Sequence, residues 1–188
     1  LPKLFASGTR SKHMEKIPPG EHLSPFETQR KIHELFAQET RHRILLTVLG
    51  HPAHLPSLAE LAYYSQKSES AVLDQLDELI EYDLVATYTL QEGRGSRNLP
   101  GTFYGPTERG VLMFGKFGYL QGVPMLRAVH DATAKTERIR RHESAPRPYL
   151  PPPVAHVLAR ATRTAGDANH SDPARAFTAV VGDEADNS

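Results

Sequence analysis

The sequence predicts a mainly α-helical domain carrying one small β-hairpin, an α+β arrangement. Two observations predict it. A succession of amphipathic segments with helix-start signals runs from Ser24 to Asp83, and the apolar spacing then switches from helical to alternating at Leu84.

Ser24-Pro25-Phe26-Glu27 opens the first helix, with Ser at the N-cap, Pro at the first helical position and Glu three residues after the Ser. Ile32, Leu35 and Phe36 then share a face. Thr40 opens a second helix through Ile44, Leu45, Val48 and Leu49, which Gly50 and Pro52 stop. Ser57-Leu58-Ala59-Glu60 is a capping box for a third. The polar break Ser65-Gln66-Lys67 follows, and Ser68 or Ser70 caps a fourth, with Val72, Leu73, Leu76, Leu79 and Ile80 on its core-facing stripe. Leu84, Ala86, Tyr88 and Leu90 alternate as a half-buried strand. Residues 91–101 form a Gly-rich loop, and Thr102-Phe103-Tyr104 returns as the partner strand. Thr107 opens an apolar segment through Val111, Leu112, Phe114, Phe117 and Leu120. A further helix is expected from Pro124 to about Arg141. After Ala145 the chain becomes Pro- and Ala-rich, with a short helix near 154–162 and disorder in the rest. Four segments result: a flexible arm 1–23, a domain 24–106, a helical region 107–144 and a largely disordered tail 145–188.

Composition removes several functions. The absence of Cys excludes disulfides, thiolate zinc sites and a Cys nucleophile, and with no secretory h-region it favours a cytoplasmic protein. No run approaches the roughly 20 apolar residues of a membrane span. Neither a phosphate-cradling Gly loop before a helix nor a G-x-S-x-G elbow is present, so no enzyme is expected. His51-Pro52-Ala53-His54 offers two metal ligands without a carboxylate close in sequence. His130-Asp131 and His142-Glu143 lie on the last helix. No metal or cofactor is expected.

Helix, tight polar turn, helix and hairpin, in that order, make a DNA-reading unit: the second helix enters the major groove and the hairpin lies beside it as a wing. The stretch SLAELAYYSQKSESAVLDQLDELIEYDLV, residues 57–85, resembles the winged helix-turn-helix of the arsenic-repressor and multiple-antibiotic-resistance-repressor type. The segments SPFETQRKIHELFAQETRHRI, FYGPTERG and RHESAPRP further resemble a haloarchaeal group of such regulators. The resemblance implies a dimeric, archaeal, sequence-specific transcription regulator that binds double-stranded DNA. It also implies a dimerisation role for 107–144, where the apolar side chains exceed what one small domain needs. Asp83 stands where such regulators usually end the recognition helix with Gly.

The recognition helix, 68–82, is acidic and holds no Lys or Arg. Only the N-terminal part of such a helix normally reaches base edges. Lys67, Ser68, Ser70, Ala71, Asp74 and Gln75 are therefore the expected readers, Gln75 pairing with adenine, Ala71 touching a thymine methyl and Asp74 accepting from cytosine. Arg94, Ser96 and Arg97 on the wing tip are expected to meet the minor groove or its phosphates. Lys135, Arg138, Arg140 and Arg141 are sufficiently explained by the dipole of the helix they end. Two other readings remain open. A winged helix with so acidic a reading face could bind protein instead of DNA. A small-molecule effector, its identity unknown, could bind among Leu112, Phe114, Phe117, Tyr119 and Leu120.

Overall fold

A computed structural model describes residues 24–91 and 98–168, with side chains as far as Arg163. Residues up to Glu34 belong to one compact unit and those from Leu35 onward to another. The first unit contains the start of helix α1 (Pro25–Ala37). Its capping box is formed: Ser24 Oγ accepts from the Glu27 amide at 3.2 Å, and the Glu27 carboxylate accepts from the Ser24 amide at 2.9 Å.

The second unit continues with α2 (Glu39–Gly50), α3 (Leu58–Ser65), α4 (Glu69–Glu81), β1 (Val85–Thr89) and β2 (Thr102–Pro106). After the hairpin come α5 (Glu108–Lys116), a 3-10 turn (Tyr119–Gly122), α6 (Val123–Ala132), α7 (Glu137–Glu143) and α8 (Pro152–Ala168). The strands pair antiparallel, with Thr87 opposite Tyr104. Ser57 adds an isolated bridge to Phe103, and the Tyr104 amide donates to Pro56 O at 3.0 Å, so the chain entering α3 is stitched to the hairpin. Ile44, Leu45, Leu61, Leu76, Leu79 and Phe103 are fully buried where α2, α3, α4 and the hairpin converge.

Four expectations are corrected. Helix α2 starts before Thr40 because the Gln38 amide oxygen caps the Arg41 N–H at 2.7 Å. The helix expected over 124–141 is two helices. Thr133 leaves the helical conformation with ψ 128, and Thr136 caps a new helix by accepting from the Ile139 amide. The tail, where a short helix near 154–162 and disorder elsewhere were expected, holds the longer helix α8, which packs on α5, α6 and the 3-10 turn and buries Val154 and Leu158. On α4 only Val72, Leu76 and Leu79 are buried. Leu73 and Ile80 are 39% and 37% exposed, since α2, α3 and β1 cover a stripe narrower than the full apolar set.

Candidate nucleic-acid interface

Helix α3 and helix α4 are joined by three residues, Gln66, Lys67 and Ser68. The turn is fixed by backbone geometry. Gln66 sits in the left-handed region at φ 57, its amide donates to Tyr63 O at 3.2 Å, and the Lys67 amide donates to Ala62 O at 3.1 Å. These two bonds satisfy the last carbonyls of α3 and turn the chain sharply. Ser68 then caps α4, its Oγ accepting from the Ala71 amide at 3.2 Å. The far end of α4 closes in the same way. Asp83 takes φ 53, its amide donates to Ile80 O at 2.9 Å, and the Leu84 amide donates to Leu79 O at 3.0 Å. Asp83 thus adopts the conformation for which Gly is the usual residue. Thr107 Oγ1 donates to Asp83 O at 2.5 Å, tying the start of α5 to this turn. Gly110 lets the Leu84 carbonyl approach where a Cβ would overlap it.

Lys67, Ser68, Ser70 and Asp74 are exposed at the N-terminal end of α4, and Ala71 is half-buried among them. The hydroxyl of Ser68 is committed as the cap and lies 3.1 Å from Ser70 Oγ. Gln75 is half-buried, and its amide oxygen is withdrawn from the surface without a hydrogen-bond partner among the described residues. Reaching a base edge requires that side chain to swing outward. Arg94, Ser96 and Arg97 lie outside the described residues. The C-terminal half of α4 presents Asp77, Glu81 and the partly exposed Ile80.

Behind the helix pair lies a buried polar cluster that sequence spacing concealed. His51, placed in a loop without a neighbouring carboxylate by sequence, has its Nε2 3.1 Å from Glu60 Oε1 of α3, and both side chains are almost wholly buried. His51 Nδ1 accepts from the Ala53 amide, so Nε2 carries the proton and donates to Glu60. Arg147 donates from Nη2 to both Glu60 oxygens, at 2.8 and 3.0 Å, and its Cζ lies 5.0 Å from the Phe103 ring centre. Burial alone would raise the Glu60 carboxyl, but the His51 hydrogen bond, Arg147 and Ser57 together hold it down to about 2. Burial lowers His51 despite Glu60, keeping it neutral. Nearby, Tyr64 donates to Glu143 Oε1 at 2.6 Å, Lys135 pairs with Glu143 Oε2 at 2.9 Å, and His130 Nε2 is 2.8 Å from Glu143 Oε1. Ligand atoms of His51, Glu60 and Glu143 fall within 4.8 Å of one another, the spacing of a metal site. Arg147 already supplies the cation at Glu60, and Lys135 supplies one at Glu143, so the cluster is charge-compensated by protein groups.

Of the apolar residues that could line an effector pocket, Phe114, Phe117 and Tyr119 pack together, while Leu112 is 69% exposed. Phe114 is fully buried, and Phe36 packs on Phe114, Phe117 and Tyr119 with ring centres 6.1, 5.6 and 5.1 Å away, an aromatic core. A cleft of about 440 Å³ lies elsewhere, between α2, α3 and α6, with Arg43, Tyr63 and His130 in its lining. Among the described residues no helix is long and apolar enough to cross a membrane.

Comparison with protein-family models and with curated proteins finds no match. Among solved structures, the chain is similar to a protein from Halomicrobium mukohataei described as having a GntR superfamily winged-helix-turn-helix domain. The identity is 24% and the TM-score 0.61, over 70% of this chain and 94% of that one.

Proposed function

The chain adopts a winged helix-turn-helix fold, and we propose that it is a dimeric, sequence-specific DNA-binding transcription regulator of the cytoplasm, acting by binding and not by catalysis. The observation that carries this reading is the unit α3, three-residue turn, α4 and hairpin, with Lys67, Ser70, Ala71 and Asp74 presented at the end of α4 that meets bases in such folds. Helix α4 lies in the major groove, Ser70, Ala71, Asp74 and an outward-swung Gln75 read base edges, and the wing with Arg94, Ser96 and Arg97 lies on the minor groove or backbone. Dimerisation is supported by Met125 and Val129, one turn apart on α6 and 67% and 59% exposed, and by Leu112 on α5 at 69%. Two-fold pairing through such side chains suits a palindromic site. Assignment to the arsenic-repressor or multiple-antibiotic-resistance-repressor type is supported by residues 57–85, and assignment to a haloarchaeal group by the segments SPFETQRKIHELFAQETRHRI, FYGPTERG and RHESAPRP.

A specific observation favours a second reading. Leu73 and Ile80 are exposed beside Asp77 and Glu81, an apolar and acidic face that suits a basic amphipathic protein segment. Selection of random duplex DNA on the purified chain separates the two. Enrichment of a palindrome, with adenine preference lost in Gln75→Leu and affinity lost in Arg94→Ala/Arg97→Ala, is the expected outcome. Failure to enrich any sequence at any salt concentration would transfer the function to protein binding.

A further inference from the structure

Helix α4 holds no cation from Ser68 to Asp83, yet DNA affinity comes chiefly from phosphate neutralisation. We propose that α7 supplies it: Arg141, on the edge of α7 that Arg138 marks, and the exposed Arg140 next to it bind the DNA backbone flanking the bases that α4 reads. The inference rests on the DNA-binding reading above and adds a contact element that the helix-turn-helix and wing do not include.

Sequence alone assigned these arginines to the dipole of one long helix. The structure makes α7 a separate seven-residue helix capped by Thr136, and places it against the reading unit. Arg138 Nη2 lies 3.2 Å from Oε1 of Glu69, in the first turn of α4. His142 Nδ1 lies 3.1 Å from Oγ of Ser57, the N-cap of α3. Helix α7 therefore touches the N-terminal ends of both helices of the pair. Arg138 and Arg141 are three residues apart and share one side of the helix. Arg138 marks that side as the one toward α4, so Arg141 continues the same edge by one turn.

The roll of α7 is fixed from within. Ile139 is 3% exposed, His142 reaches Ser57, and Glu143 turns inward to Tyr64 and Lys135. Tyr63 donates to Ala134 O at 2.7 Å and holds the connection before α7. With that face committed, Arg140 and Arg141 are exposed, and neither makes an ion pair among the described residues. The acidic residue of α7 that could offset them, Glu143, faces the interior, which leaves Glu137 as the exposed carboxylate of this helix. Cations on a pre-ordered frame lose less freedom on meeting phosphate than cations on a mobile arm. Arg138, by pairing with Glu69, also offsets the acidic residue in the first turn of α4.

The test is the salt dependence of binding to the duplex that the wild-type chain selects. Each phosphate contact contributes about 0.9 to the slope of log K against log [KCl], so Arg140→Ala/Arg141→Ala is expected to lower that slope by roughly 1–2. The loss should be equal on the selected duplex and on one with mismatched bases, because phosphates carry no sequence. Arg140→Lys/Arg141→Lys should retain most of the slope, and both variants should melt as the wild type does, since these side chains are exposed. An unchanged slope and affinity in the alanine variant would overturn the assignment of α7 while leaving DNA binding intact. Absence of wild-type binding at every salt concentration would instead remove the DNA-binding reading, and the α7 contact with it.

Discussion

Arg147 donates from Nη2 to both carboxylate oxygens of Glu60, at 2.8 and 3.0 Å, and so locks the segment between α7 and α8 onto the first helix of the helix-turn-helix. The same guanidinium reaches Leu55 O through Nε and Glu143 O and Ala145 O through Nη1. A planar fork with five donors can make these bonds simultaneously, and a lysine ammonium cannot.

Removing Arg147 leaves the carboxylate of Glu60, which is completely buried, with His51 and the Ser57 amide as its hydrogen-bond partners. Breaking one side of a buried pair costs about 3–5 kcal/mol. Arg147→Ala and Arg147→Lys are both expected to destabilise on that scale, measured by urea unfolding. The acid limb should move as well. The Glu60 carboxyl is held down to about 2 in the fold, below its unfolded value, so it contributes stability above the unfolded value that is lost as pH falls through about 2. In Arg147→Ala that loss should begin at higher pH. Stability unchanged in the alanine variant would show that the pair contributes nothing.

His54 gives a separate pH signature. It is buried, its Nδ1 donates to Val48 O at 3.2 Å, and burial lowers it from 6.5 to about 4, with the nearby Arg127 acting in the same direction. Its folded value is depressed, so the unfolded chain takes up the proton first as pH falls. Stability is full above 6.5, declines between 6.5 and about 4, and levels off below. At 1.36 kcal/mol per unit the full loss is about 3 kcal/mol. His54 also has φ 54, a conformation Asn tolerates. His54→Asn should keep the turn and flatten the stability profile across that window. A profile that stays as steep as the wild type's would assign the pH dependence to other groups.

What the sequence disclosed follows from how local each signal is. The capping boxes at Ser24 and Ser57 and the change of period at Leu84 depend on neighbours within four residues, and all three were readable. Thr133 and Thr136 split one expected helix because capping overrode a continuous apolar pattern. The cluster of His51, Glu60 and Arg147 was invisible, because its members lie up to 96 residues apart and each looks like an ordinary surface residue. The exposure of Lys67, Ser68, Ser70 and Asp74 around the start of α4 was legible from the helical spacing, whereas the burial of the Gln75 oxygen depends on packing. The placement of Arg138 on Glu69 likewise needed the fold.

The helix-turn-helix turn carries a cost that substitution can expose. Gln66 holds φ 57 without the side-chain features that let Asn or Asp tolerate the left-handed region, and such a conformation costs an ordinary residue about 1–2 kcal/mol. Glycine removes that cost and restores part of it through the greater freedom of the unfolded chain, about 0.5–1 kcal/mol. Gln66→Gly is therefore expected to stabilise the domain by about 0.5–1 kcal/mol, and Asp83→Gly by less, because Asp is more tolerant at its φ of 53. Gln66→Val should act in the opposite sense, since a β-branched side chain fits this region worst. Urea unfolding of the three variants ranks them. If Gln66→Gly proved less stable than the wild type, its side chain would have to make a contact that outweighs the strain, and the turn between α3 and α4 would then owe its shape to that contact and not to the backbone bonds at Tyr63 and Ala62.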